Sequence, residues 1–468
     1  MLTLQIISSV ISGAVFIALG LKLVHIFQLG SYRVLNFVKW SVSKKSRYTV
    51  TLMTVAFLGF GSTFIIKMLL NRLDLASFWA YFGLLFFVFL GISATFLHAS
   101  APVKVPLKYT PRVKRLFFTY SVLCFVSAFS ILYFLQVQYL PILAVGLPIL
   151  VLVAAFVNEP IEWCVRKSYL RKAKKKLFSP EYNNLIRIGI TGSYGKTTCK
   201  NILAQILSSK YKVVSSPASF NTPMGFCRTV LHELKPDTEV LIMEMGARRR
   251  GDIKTMCKLF KPQHGLLTAI GLAHLETFKT PENIRLEKME LINAIPDGGI
   301  KIIGDETKTN IEMCSEMSRG LGVSDAQIEL AIKNLQPTPH RLELITGENG
   351  VKILDDSYNS NPNGAALALR ELARVSGGKG KKVVLTPGMV ELGSYQFEAN
   401  KIFAEHIATV ADVAIIVGET NKVALSTGLK DFKEVYYVQT VEEAKKLFPK
   451  ILSAGDTLLI ENDLPDNF

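Results

Sequence analysis

The chain has 468 residues, enough for two or three domains, with 54 Lys and Arg against 38 Asp and Glu and a formal net charge of +16. Such basicity would ordinarily suggest a nucleic-acid partner, but residues 1–176 hold 20 of the basic and 3 of the acidic residues, net +17, which leaves the remainder at −1. No basic face with interleaved aromatics stands downstream, so nucleic acid is not expected as a partner. Six scattered cysteines without a C-x-x-C pair exclude a disulfide framework and a zinc ribbon and fit a reducing compartment.

Five apolar runs open the chain, near 3–29, 48–70, 76–99, 116–135 and 138–157. Each approaches or exceeds the ~20 residues that cross a bilayer as helix, so a bundle of five transmembrane helices is expected. A cleaved signal peptide is not, because the N-terminus lacks a basic leader and further runs follow. The loops alternate in charge. The loop at 31–47 carries Arg33, Lys39, Lys44, Lys45 and Arg47, that at 71–75 only Arg72, and that at 100–115 Lys104, Lys108, Arg112, Lys114 and Arg115. The turn at 136–137 has none, and "RKSYLRKAKKK" with seven follows the fifth run. The positive-inside rule then places the N-terminus outside and everything after residue 176 in the cytoplasm, as a multi-pass protein of the cell membrane. The lysines at 174–176 form a basic face suited to anionic membrane lipids. The spans carry little polar chemistry, so module 1–176 reads as an anchor; a transporter with a fused NTPase would need charges along a pathway.

From residue 185 the pattern changes to strand–helix alternation. "LIRIGI", "KVVSS", "EVLIMEM", "GLLTAI" and "GIKII" read as strands, with helices between them. "SDAQIELAIKNL" opens with Ser324 and has Gln327 three residues on, a capping-box start. Pro337 and Pro339 in "QPTPHR" break the pattern and mark a boundary. A second set follows: "VKILDD", helix 363–375, "KVVLTP", helix 395–409, "VAIIVG", "EVYYVQ", helix 441–453 and "TLLIEN". The expectation is an α/β P-loop domain at 177–336 and an α/β Rossmann-like domain at 337–468, each a mainly parallel sheet covered on both faces.

"GITGSYGKTT" at 189–198 carries the clearest chemistry. A strand leads into Gly192, Ser193, Tyr194, Gly195, Lys196, Thr197 and Thr198, and a helix follows. The glycines let backbone N–H groups face phosphate oxygens at a helix N-terminus. Lys196 would neutralise the β/γ-phosphates of ATP, and the Thr197 hydroxyl would ligate Mg²⁺. The strict Walker form needs a glycine five residues before Gly195, where Ile190 stands.

This loop resembles that of the Mur ligases, ATP-dependent amide-forming enzymes of cell-wall synthesis whose relatives include folylpolyglutamate synthase. "SFNTPMG" (219–225), "MEMGA" (243–247), "GLAHLETF" (271–278) and "EKMEL" (287–291) resemble successive blocks of that family's central domain. "HRLE" (340–343), "LDDSYNSNP" (354–362) and "GMVELG" (388–393) resemble its C-terminal domain. The "DDSYNSNP" and "ELG" blocks are most similar to the branch that adds D-alanyl-D-alanine to the muramyl tripeptide. The resemblance implies a cell-wall precursor and an amino-acid or dipeptide amine as substrates, with ATP and Mg²⁺ as cofactors. It implies Glu244 and Thr197 as ligands of one Mg²⁺, and His274 with Lys288, the latter carbamylated, at a second. It further places Asn221 beside the active site, Arg341 on the ATP phosphates, and Asp356, Tyr358 and Asn359 along the nucleotide. Alone, each of these residues has an ordinary structural role: a lone Lys288 on a helix is a solvated lysine, and a lone His274 a hydrogen-bonded loop residue. Joined to the P-loop in family order, they point to a ligase.

The chain departs from the family in three places. Only about thirty residues separate the last apolar run from the P-loop, where a standard Mur ligase has a domain that binds the uridine nucleotide. The stretch from "IIGDETKTN" to "HRLE" is several tens of residues short. "IENDLPDNF" stands where the D-alanyl-D-alanine branch has a basic, Gly-containing segment. The alternatives these leave are a lipid-linked or polyglutamate-type acceptor, or a membrane-anchored nucleotide-binding scaffold without catalysis.

Overall fold

The computed structural model describes residues 2–42, 47–71, 76–99, 106–135, 137–218, 220–272, 274–305, 308–358, 360–378 and 380–464. Lys44, Lys45, Arg72, Lys104 and Asn359 therefore lie outside the described residues. Met1–Val165 form one compact unit and Arg166–Leu464 a second.

The first unit is helical. Among the described residues, four helices are long and apolar enough to cross a membrane, Ile6–Leu29, Tyr48–Ile65, Pro111–Phe134 and Tyr139–Leu177; a further apolar helix spans Ala76–Ala99. Their shared core includes Phe16, Leu19, Leu23, Leu52, Phe87, Val113 and Tyr120. The Tyr120 hydroxyl donates to the Phe16 carbonyl at 2.9 Å and so spends its only polar atom inside the bundle. Apolar side chains also face outward, with Phe57 at 78 %, Phe118 at 71 % and Phe156 at 81 % exposure. Water would penalise such a surface, and lipid would not. Helix Leu143–Leu177 carries Lys174, Lys175 and Lys176 in its last turn.

The second unit holds two sheets. In the first, β1 (Ile186–Thr191), β2 (Val213–Ser215), β3 (Val240–Glu244), β4 (His264–Leu267) and β5 (Lys301–Ile303) lie in the order β2-β3-β1-β4-β5. All four pairings are parallel. Every residue of β3 is buried, as a strand covered on both faces requires. Helix Lys196–Leu207 follows β1 and turns Cys199, Ile202, Leu203, Ile206 and Leu207 inward at helical spacing. They join Ile188, Ile242 and Leu266 in the core on one face, while Leu241, Met243, Leu291 and Phe226 fill the other. Helix Asp325–Lys333 begins with the Ser324–Gln327 capping box that its sequence announces.

The second sheet has the order β10-β9-β8-β11-β7-β6, from β6 (Glu343–Thr346), β7 (Lys352–Asp356), β8 (Lys382–Thr386), β9 (Val413–Val417), β10 (Val435–Val438) and β11 (Thr457–Glu461). Only β6 runs antiparallel, against β7. The alternation in sequence anticipates ten of these eleven strands. It misses β6, an edge strand whose "ELIT" is mostly exposed and has neither a buried run nor a clean period of two.

Candidate active site

Parallel sheets gather their chemistry beyond the carboxyl ends of the strands. Here β1 ends in the glycine loop and β3 ends at Glu244, with Ile190 of β1 in register with Glu244. Ser193 is pinned by its backbone N–H to the Ala269 carbonyl at 2.7 Å and by its hydroxyl to the Gly271 carbonyl at 2.9 Å. Gly192 has no room for a side chain, since a Cβ would come within 2.0 Å of the Thr268 hydroxyl. Gly195 caps helix Lys196–Leu207 in the left-handed conformation, with φ of 79°. The helix start thus presents its first N–H groups beside the loop, an anion-binding arrangement. Thr198 lies in that first turn. The Lys196 ammonium donates to the carbonyls of Gly192 at 2.7 Å and Ser193 at 3.1 Å.

Glu244, 1 % exposed, is the hub of the site. The Thr197 hydroxyl donates to its Oε2 at 3.0 Å, and the Asn221 amide to its Oε1 at 3.4 Å. Gly246 makes the Asn221 approach possible, because a Cβ there would meet the Asn221 amide at 2.8 Å. A further cation, Lys200, reaches Glu244 Oε2 at 3.3 Å and also donates to the Ala218 carbonyl. Both partners are about 2 % exposed. Sequence reasoning did not single out Lys200. Its only signal is that position 200 falls on the inward stripe of its helix, where a lysine needs a buried partner.

Two lysines, Lys196 and Lys200, thus act on one carboxylate, a third, Lys288, feels the charge of Lys196, and each is pushed below the ordinary lysine range. Burial lowers Lys196 to about 8, with Glu244 opposing and Arg341 adding to the fall. Burial also lowers Lys200, against the pull of Glu244. Lys288, 3 % exposed, falls to about 7 through burial and the positive charge of Lys196. A lysine in that range has a substantial neutral-amine fraction near neutral pH, the form that adds CO₂. Its neighbour Glu287 turns away and accepts from the backbone N–H of Gly251 at 2.6 Å and Ile253 at 2.7 Å, capping helix Asp252–Phe260.

The second sheet contributes from its own strand ends. Arg341 stacks 4.5 Å over the Tyr358 ring, and its charge is felt at Lys196. His340, beside it, holds Asp355 Oδ2 at 2.7 Å. Asp356 accepts from the Leu342 backbone at 3.3 Å, and burial raises it to about 6. Glu461, in register with Asp356 on the adjacent strand, is fully buried; burial and then the Asp356 charge push it well above the usual carboxylate range. His274 turns its Nδ1 onto the Glu391 carboxylate. The structure thus gathers Lys196, Thr197, Asn221 and Glu244 by direct contact or charge, and couples Lys288 and Arg341 to Lys196. His274 meets Glu391. Glu391 falls in the "GMVELG" block and Glu461 in the predicted strand "TLLIEN", but the sequence assigns neither a role of its own.

The donor set suits a hard divalent cation. Glu244 and Thr197 offer anionic and hydroxyl oxygens beside a phosphate-binding helix start, the type of ligand Mg²⁺ takes. The same edge carries more positive than negative charge, which suits a polyphosphate.

A model of the Mur ligase middle domain matches residues 190–353, and one of the Mur ligase glutamate ligase domain matches residues 340–461. The chain is 28 % identical over 263 residues to UDP-N-acetylmuramoyl-tripeptide–D-alanyl-D-alanine ligase of Bacillus subtilis, covering 45 % of this chain and 57 % of that protein. It is 27 % identical over 304 residues to the protein of the same name from Treponema pallidum, covering 52 % and 66 %. Among solved structures, the MurF ligase from Thermotoga maritima in complex with ADP matches with a TM-score of 0.55 at 26 % identity, over 64 % of this chain and 80 % of that one. The chain thus spans between about half and two thirds of the length of the curated relatives it matches.

Proposed function

Residues 190–461 belong to the Mur ligase family, and we propose that this protein is an ATP-dependent ligase joining a carboxylate to an amine in cell-wall precursor synthesis. The acceptor is a muramyl peptide and the amine D-alanyl-D-alanine or a dipeptide like it, as the names of its relatives suggest. One observation carries this reading. Lys196 and Lys200 act on the buried carboxylate Glu244 at the P-loop, and both are depressed in pKa by burial. Such an excess of cation is matched to a reaction that collects phosphate and carboxylate oxygens in one place.

The acceptor carboxylate attacks the γ-phosphorus of ATP, the bond to the bridging oxygen breaks, and ADP departs. The amine nitrogen then attacks the acyl carbon of the acyl phosphate, loses its proton, and expels inorganic phosphate. Lys196 offsets charge on the transferring phosphoryl group, and Arg341 adds to it from the second sheet. Asn221 and Lys200 hold Glu244 in place. Asp356 and Tyr358, with Asn359, line the nucleotide in this reading. Mg²⁺ bound by Thr197 and Glu244, and at a second position by His274 and carbamylated Lys288, supplies further charge neutralisation. In the same reading, five helices of the first unit cross the cell membrane and residues beyond 176 are cytoplasmic. The anchor then keeps the ligase close to precursors that become lipid-linked.

The test is direct. Detergent-solubilised protein with ATP, Mg²⁺, UDP-muramyl tripeptide and D-alanyl-D-alanine should release ADP and phosphate and give a product heavier by one dipeptide less water, read by mass spectrometry. Product formed only with lipid-linked muramyl peptide, or only with glutamate as amine, would move the reading to those acceptors. ATP consumption without any new C–N bond would overturn it.

A further inference from the structure

His274 and Glu391 stand 117 residues apart, one beyond β4 of the first sheet and the other after β8 of the second. Each holds a left-handed backbone without being glycine: His274 has φ of 54° and ψ of 32°, and Glu391 has φ of 65°. Such conformations cost about 1–3 kcal/mol each and persist where the surroundings over-determine them. Here the two strained residues meet. The Glu391 carboxylate takes His274 Nδ1, and the Glu391 carbonyl accepts from the Glu276 backbone N–H at 3.2 Å.

A carboxylate only accepts hydrogen bonds, so the ring nitrogen that faces it must donate. In the neutral ring that places the hydrogen on Nδ1 and leaves the lone pair on Nε2. We propose that Glu391 is a positioning residue: reaching across from the second sheet, it fixes His274 in the Nδ1–H tautomer and so makes Nε2 a metal ligand only while the two halves are together. This rests on the ligase reading, in which His274 serves a Mg²⁺. It adds that the metal site is completed by the opposite half of the molecule. The strain at both residues then has a purpose, since relaxed backbones would not aim the two side chains at each other.

Mn²⁺ in place of Mg²⁺ gives a readout independent of turnover. The full-length protein in detergent with ADP is titrated with Mn²⁺ and followed by electron paramagnetic resonance. In Glu391→Gln the amide can donate to Nδ1 and so support the opposite tautomer, while size and packing are kept. Mn²⁺ affinity should fall about 10- to 100-fold. ADP affinity in metal-free buffer should not change, since the P-loop is untouched. His274→Ala should lose as much Mn²⁺ affinity as Glu391→Gln or more, and the double variant no more than His274→Ala alone. If Glu391→Gln lowers the melting temperature but keeps wild-type Mn²⁺ affinity, Glu391 is only a clasp and the proposal fails. Additive losses in the double variant would sink it equally. No acceptor or amine is present, so a failure of ligation itself would leave this result standing.

Discussion

The two sheets of the second unit end their central strands in carboxylates, yet resolve the charge in opposite ways. At the first sheet, Glu244 is buried among Thr197, Asn221 and Lys200, and the charge of Lys196 lowers Lys288. At the second, Glu461 and Asp356 lie in register on neighbouring strands, and Arg341 is the cation that acts on both. One edge depresses its lysines, and the other raises Asp356 and Glu461. Equivalent positions in two similar sheets are thus tuned for opposite partners: phosphate oxygens on one side, a proton or a cationic group on the other.

The largest expected effect comes from removing the cation nearest the phosphates. Lys196→Ala should lower ATP turnover by about 10³-fold or more, because the charge it offsets grows in the transition state. Far-ultraviolet circular dichroism should be unchanged. Near-wild-type ligation by this variant would break the contrast at its cationic end.

Lys288 comes next. Its depressed pKa and near-complete burial favour carbamylation, which converts the third lysine of this edge into an anion. Lys288→Ala should lose about 10²-fold in activity and regain part of it with added short-chain carboxylic acids, which can occupy the vacated space. Lys288→Arg should not be rescued, since it fixes a cation there. A fully active Lys288→Ala protein would return this residue to an ordinary buried lysine.

Lys200→Met tests the salt bridge itself. It keeps the inward stem and removes the ammonium, leaving Glu244 buried with hydroxyl and amide partners alone. Breaking one side of such a pair costs about 3–5 kcal/mol. A fall in the thermal midpoint should accompany the loss of activity, whereas Lys196→Ala should show little change in midpoint. Equal midpoints for Lys200→Met and wild type would show that Glu244 needs no cation.

These residues differ in how far the sequence exposes them, and the reason is physical. Lys196 and Thr197 stand in a glycine context whose backbone geometry is nearly self-specifying. The buried strands announce themselves as apolar runs because both faces are covered, whereas β6, on an open edge, does not. Lys200 hides because an isolated lysine on a helix is ordinarily solvated, and its partner Glu244 is 44 residues away in sequence but 3.3 Å away in space. Asn221, His274, Lys288, Arg341 and Asp356 acquire meaning only from their order along the chain and from the resemblance that order carries. Glu391 stands in the quoted "GMVELG" block and Glu461 in the predicted strand "TLLIEN", yet each gains its role only from a contact, across the two sheets or between neighbouring strands. "IENDLPDNF" reads as acidic, and its Glu461, fully buried, ends the strand that "TLLIEN" predicts.

The smallest expected effect lies at that acid, and it sharpens the contrast from its other end. Asp356 is raised from 3.8 to about 6, chiefly by burial, and Glu461 is raised further in the same direction. Raised carboxyls bind protons in the folded chain that the unfolded chain releases. Their contribution to stability is therefore complete below about pH 4 and lost as pH rises through 6 and beyond. Ser360 donates to Glu461 Oε1, while Oε2 lies buried beside Asp356. Glu461→Gln replaces the second acid by an amide that can still accept from Ser360 and can donate to Asp356. The Asp356 carboxylate would then be hydrogen-bonded rather than repelled, and its pKa should fall. The variant should gain roughly 1–3 kcal/mol over wild type at pH 8, the range for satisfying one buried polar group, and gain little at pH 4.5. Thermal midpoints of the detergent-solubilised proteins at the two pH values would show a difference that opens as pH rises. Parallel midpoints across that range would mean that the pair carries no excess negative charge, and the two strand edges would then be alike.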